Sequence, residues 1–222
     1  MVSLALDRRR MLAIGLASAL SATFLPSRAR AQAQEPGRAD AARLMNELMT
    51  GSTPIGGPFL LPDQHGQRVG PAQWRGKVVL LYFGYTFCPD ACPTDLKSMA
   101  DAIEILGPEG SRVQPVFITL DPQRDKPAQI GRYAESFNPR FAALSGTEDE
   151  IRKVALSYKV FYEKVSVPGS DQYLIDHTSF TYALDVEGRY AGYFPPGTSG
   201  RRLAEQVKAM LTERPAIRSG RW

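Results

Sequence analysis

From Val78 to Phe83 the chain is apolar at every position. A run that is hydrophobic on both alternating faces predicts a central strand covered on both sides. Residues 113–120 form a second such run. Between them Leu96, Met99, Ala100 and Ile103 recur at helical spacing. Ala128, Ile130, Tyr133, Ala134 and Phe137 mark another helix, which Asn138-Pro139 stops. Thr147, with Glu150 three positions on, reads as a capping box that opens a helix carrying Ile151, Val154, Ala155 and Tyr158. Leu203, Val207, Met210 and Leu211 form the last helical face. Two hairpins are predicted, one turning at 63–67 between 59–61 and 68–69, the other at Glu187-Gly188 between 179–185 and 190–194. Residues 142–144 read as a short strand, 161–165 as extended chain and 167–172 as loop. Strands that alternate with helices and close on a hairpin and a helix predict an α/β domain with a mixed sheet flanked by helices over residues 55–213. Ahead of it lies a segment, 34–54, of polar linker and a short docking helix with Ala41, Leu44, Met45, Leu48 and Met49; behind it lies a flexible tail, 214–222.

Composition changes this picture at one end. Arg8-Arg9-Arg10 precedes a short apolar run over residues 11–25, and small residues suited to cleavage follow at Ala29-Arg30-Ala31 and Ala31-Gln32-Ala33. Residues 1–33 therefore read as a signal peptide of twin-arginine-like type, which implies an exported, periplasmic protein. The alternative is an uncleaved amino-terminal helix that anchors the domain to the inner membrane on its periplasmic side. The whole chain of 222 residues carries 27 Lys and Arg against 23 Asp and Glu, but residues 1–33 hold five arginines and one aspartate. The remainder is balanced at 22 of each sign, so the excess charge is no footprint for nucleic acid.

Both cysteines lie in one stretch, Gly84-Tyr85-Thr86-Phe87-Cys88-Pro89-Asp90-Ala91-Cys92-Pro93, between the first central strand and the first helix. A proline and an aspartate both suit a helix start. Strand, loop and cysteine-bearing helix start resemble the arrangement of thioredoxin-like folds. Two thiolates with an imidazole suit a soft or borderline metal such as Cu(I) or Zn. Of the two histidines, His177 is the better ligand, since it follows a long loop and precedes a strand, whereas His65 falls in a polar hairpin turn. Asp176 is a candidate to orient that imidazole. Asp121-Pro122-Gln123-Arg124-Asp125 follows the second central strand, and in a parallel sheet it would share an edge with the cysteine loop. A reversible disulfide between Cys88 and Cys92, giving thiol–disulfide reductase activity, is the competing chemistry. Thiol peroxidase and structural zinc fit less well: Thr86 stands only two before Cys88, and three ligands fall one short of a closed tetrahedral site.

The three elements from Tyr85 to Pro93, from Asp121 to Asp125 and from Asp176 to Thr178 resemble, in order and spacing, the signature of the SCO/SenC family. That resemblance implies a thioredoxin-like fold, to which the hairpin read at 59–69 is an extra amino-terminal element. It implies one copper per chain, Cu(I) or Cu(II), with Cys88, Cys92 and His177 as ligands. It also implies a metallochaperone role towards the dinuclear copper site of cytochrome c oxidase or another cuproprotein, served by a periplasmic copper donor and a thiol reductant. Asp121, Arg124 and Asp176 become positions for ligand support or partner contact. The chain departs from the family pattern in its removable-looking leader and in Gln123, where glutamate is common.

Overall fold

A computed structural model of the chain describes residues 36–212. The predicted signal peptide and carboxyl-terminal tail lie outside the described residues. The first element, α1 (Pro36–Thr50), begins inside the expected linker, because a proline in the first turn removes no helical hydrogen bond. It docks through Leu44 and Leu48, while Met45 and Met49 are exposed, Met49 Sδ still accepting from the Tyr193 hydroxyl at 2.7 Å. The hairpin of β1 (Leu61–Pro62) and β2 (Arg68–Val69) follows. Its Gln64 side chain donates to the Phe141 carbonyl at 3.1 Å and accepts from Ala143 N–H at 3.0 Å. That cover blunts an otherwise unpaired sheet edge.

The central strand is β3 (Val78–Gly84), buried at every residue as its composition requires. Then come α2 (Ala91–Ile105), β4 (Val113–Thr119), α3 (Pro127–Glu135), β5 (Ala142–Leu144) and α4 (Glu148–Ser157). The Thr147–Glu150 capping box is present at the start of α4. The chain closes through β6 (Tyr162–Ser166), β7 (Tyr173–His177), β8 (Thr181–Leu184), β9 (Tyr190–Phe194) and α5 (Gly200–Thr212). The main sheet has the order β5-β4-β3-β8-β9, parallel from β5 to β3 and antiparallel from β3 to β9. On one face Phe83 packs with Tyr158 and Tyr182, at ring-centroid distances of 5.6 and 5.9 Å. On the other lie Tyr82, Gly84 and α2, which packs against α5. The fold is thus α/β and thioredoxin-like, with a mixed central sheet flanked by helices. No helix among the described residues is long and apolar enough to cross a membrane.

One element departs from the sequence expectation. His177 is the last residue of a strand, not a loop residue: β6 and β7 pair antiparallel as a separate two-stranded sheet, in which Tyr162 opposes His177. The expected loop at 167–172 is the turn of this hairpin, closed by Val167 N–H to the Gln172 carbonyl at 3.0 Å.

Candidate metal centre

Parallel pairing puts the carboxyl ends of β3 and β4 at one edge, with Gly84 opposite Thr119. The cysteine loop leaves from β3 and the 121–125 loop leaves from β4. Because β8 runs antiparallel, its first residue, Thr181, pairs with Tyr82 near that same edge. The chain entering β8 therefore delivers His177 there. Cys88, in the loop, is half-buried, and Cys92, in the first turn of α2, is fully buried.

The three side chains converge. Cys92 Sγ and His177 Nε2 are 3.5 Å apart, Cys92 N–H donates to Cys88 Sγ at 3.4 Å, and the ligand atoms of all three residues lie within 4.8 Å of one another. Metal–ligand bonds of roughly 2.0–2.3 Å would hold donors at about such separations. His177 Nδ1 lies 3.2 Å from the Thr178 carbonyl, which can only accept. The proton is therefore assigned to Nδ1, leaving the Nε2 lone pair turned to the sulfurs. The rings of Tyr82 and Tyr85 meet the imidazole edge-on, at 6.3 and 6.0 Å between centroids. These residues form a group that could hold one metal ion, and among the described residues no further His, Cys, Asp or Glu joins it. His65 is exposed in its turn, away from this group.

The two thiols are unequal. The Cys88 thiol is drawn down to about 4, chiefly because Cys92 hydrogen-bonds to its sulfur; His177 and the backbone N–H groups of Asp90 and Cys92 add to this against the cost of burial. Cys92 is pushed strongly upward by the same pairing, by burial and by the Cys88 charge. Cys88 is thus the thiolate and Cys92 keeps its proton until a metal or oxidation removes it. In reduced, metal-free protein, carboxymethylation of Cys88 is expected to change little in rate between about pH 8 and about pH 6, whereas an ordinary thiol would slow roughly tenfold per pH unit. Mass spectrometry of the alkylated peptide checks this, and a tenfold fall per unit would refute the assignment.

The remaining candidates fall in different places. Asp176 is exposed and pairs across the hairpin with Glu163. Neighbouring strand residues point to opposite faces, so it turns away from the His177 ring and does not orient it. Asp121 is fully buried. It accepts from the Tyr173 hydroxyl at 2.9 and 3.1 Å and forms an ion pair with Arg124. Arg124 is largely covered, lying against the rings of Tyr173 and Phe87.

Two further residues shape the site; both lie in stretches the sequence singled out, but no role was read for either. Asp125 is fully buried and joins the two loops: it accepts from Thr119 Oγ1 at 2.6 Å, Thr86 N–H at 3.0 Å and Thr86 Oγ1 at 2.5 Å. Gly84 lets Cys92 approach β3, since a Cβ there would lie 2.8 Å from Cys92 Sγ and 3.1 Å from Phe117 Cε2. The glycine before the cysteine loop was the only sequence signal of that closeness.

Comparison with known proteins agrees with this geometry. Residues 48–212 match the family model described as SCO1/SenC. A SCO2-like protein of Rickettsia prowazekii is 44% identical over 155 residues, covering 69% of this chain and 76% of the relative. Among solved structures, copper-bound ScoI of Bradyrhizobium japonicum superposes with a TM-score of 0.65 at 39% identity, covering 70% of this chain and 99% of that one. BsSco, described as a member of the Sco family of cytochrome c oxidase assembly proteins in which a disulfide switch was identified, superposes at 0.56 with 26% identity, covering 73% and 96%. With a match spanning most of its length and the two sulfurs and imidazole gathered at one sheet edge, this chain belongs to the SCO1/SenC family.

Proposed function

We propose that this protein is a copper metallochaperone. Cys88, Cys92 and His177 hold one copper ion as cargo and pass it to the dinuclear copper site of cytochrome c oxidase or to another exported cuproprotein. The observation that carries the reading is the convergence of two thiols and the His177 Nε2 lone pair within 4.8 Å, in a chain similar to Sco proteins solved with copper bound. Thiolates suit Cu(I), and imidazole suits copper in either state. Three ligands leave the ion coordinatively open, so thiolates of a recipient can displace these one at a time. A chain carried outside the cytoplasm by residues 1–33 would receive its ion from a periplasmic donor. It would also need a thiol reductant, because two sulfurs this close bind metal only while reduced.

A second reading is favoured by the contrast between the half-exposed Cys88 thiolate and the buried Cys92, and by the disulfide switch identified in BsSco. Here the Cys88 thiolate attacks a disulfide of the recipient and Cys92 resolves the mixed disulfide; two electrons pass to the recipient's cysteines, which take up one proton from Cys92 and one from solvent. One titration separates the two readings. Reduced protein is titrated with Cu(I) against a competing chelator, and His177→Ala is expected to lower affinity roughly 100-fold, about 2.7 kcal/mol. Undiminished affinity in that variant would remove the imidazole from the site and leave the redox pair.

A further inference from the structure

The hairpin of β6 and β7 is not part of the main sheet, yet it carries His177, the one candidate ligand remote in sequence from the two cysteines. Alternation along β7 turns Tyr173, Ile175 and His177 inward and leaves Leu174 and Asp176 exposed. Ile175 anchors the middle of that inward row, buried to 4% exposure. Its far end, Tyr173, is gripped by Arg124. The Arg124 guanidinium carbon lies 3.7 Å from the centroid of the Tyr173 ring, and Nη1 donates to the Tyr173 carbonyl at 2.9 Å. Nε faces Asp121, whose buried carboxylate also accepts from the Tyr173 hydroxyl. The same guanidinium lies 4.7 Å from the Phe87 ring and 5.8 Å from that of Tyr85, both in the cysteine loop. Its remaining nitrogen, Nη2, is buried without a hydrogen-bond partner. A guanidinium carbon this close to one ring centroid and within cation–π reach of two more is held by aromatic contact as well as by its hydrogen bonds, a combination that a lysine ammonium does not reproduce.

We propose that Arg124 is a latch that holds the histidine hairpin on the cysteine loop and so sets the distance from His177 to the two sulfurs. It spans from Phe87, adjacent to Cys88, to Tyr173, two inward positions from His177. It touches no ligand atom and acts through the hairpin, as a positioning residue. Asp121 acts with it by fixing both the guanidinium and the Tyr173 hydroxyl, which gives this buried carboxylate a task that needs no exposure. The inference rests on the reading of His177 as a ligand.

The test compares Arg124→Lys, which keeps the charge and loses the planar fork, with Tyr173→Leu, which removes the other half of the grip. In metal-free protein, amide exchange across β6 and β7 is expected to speed up in both variants, with β3 and β4 unchanged. Loaded with copper, Arg124→Lys is expected to bind Cu(I) about tenfold more weakly and to shift the sulfur-to-Cu(II) charge-transfer band. In a His177→Ala background the same substitution is expected to cost almost nothing, since a latch that acts through an absent ring has nothing left to position. Unchanged hairpin exchange, or losses that add fully in the double variant, would overturn the proposal. Should the parent protein take up no copper at all, the ligand reading falls, and exchange in the metal-free hairpin still decides whether the latch exists.

Discussion

Cys92→Ser is expected to weaken Cu(I) binding by roughly 1,000-fold, about 4 kcal/mol, the largest effect of any single substitution at the site. The replaced atom is central: Cys92 Sγ faces His177 Nε2 at 3.5 Å, and its own backbone N–H donates to Cys88 Sγ. A serine hydroxyl stays protonated at neutral pH and is a hard donor, so it replaces neither the charge nor the softness of a thiolate. The side chain is fully buried beside Gly84, and serine is slightly smaller than cysteine, so the fold has room for it. A chelator competition read beside a urea melt separates lost ligation from lost stability. Retained affinity with an unaltered melt would show that the buried sulfur is not a ligand. The same variant cannot close a Cys88–Cys92 disulfide, so it also removes the second reading's resolving thiol.

Asp125→Ala is expected to destabilise the protein by roughly 2–3 kcal/mol, because it leaves the buried Thr119 hydroxyl and the partly buried N–H and hydroxyl of Thr86 without their acceptor. Burial pushes the Asp125 carboxyl upward, and the hydrogen bonds from Thr119 and Thr86 pull it back. Its backbone N–H in turn donates to the Asp121 carbonyl at 2.8 Å, which closes the turn at the end of β4. Thr86 is two residues before Cys88 and is also held by Gln129 Nε2 at 3.0 Å, so the loss reaches the cysteine loop directly. Urea unfolding followed by circular dichroism should show a lower midpoint with little change in slope. Asp125→Asn keeps one acceptor oxygen and the volume, and is expected to lose markedly less. A midpoint shift worth under about 1 kcal/mol for the alanine variant would show that the two loops do not depend on this staple.

Much of the scaffold was legible because it is locally encoded. The apolar run 78–83 read as a strand covered on both faces, and Thr147 with Glu150 marked the start of α4 by satisfying its own terminal N–H groups. The β6–β7 pair was not legible in the same way. Its outward residues include Val165 and Leu174, which are 45% and 41% exposed, so the polar–apolar alternation that announces a half-buried strand is blurred. Residues 161–165 read as extended without a partner, and 167–172 as loop, although together they form a hairpin arm and its turn. Asp121 and Asp125 were placed at the shared sheet edge by the parallel pairing, but their burial was not legible: charged residues are mostly exposed, and only the packing of neighbouring loops shows that both carboxylates are buried.

The chain's order of residues already specified the kind of chemistry. Two sulfurs four positions apart at a strand-to-helix junction can meet one another or a common ion because both lie within a single turn of chain. It did not specify that the third donor arrives, since His177 is 85 positions from Cys92. That meeting depends on β8 entering the sheet antiparallel beside β3, on a hairpin docked by its own inward row, and on buried charges that tie two loops and that hairpin together at one edge. Contacts so remote in sequence leave no local periodicity, and they exist only once the sheet order is set.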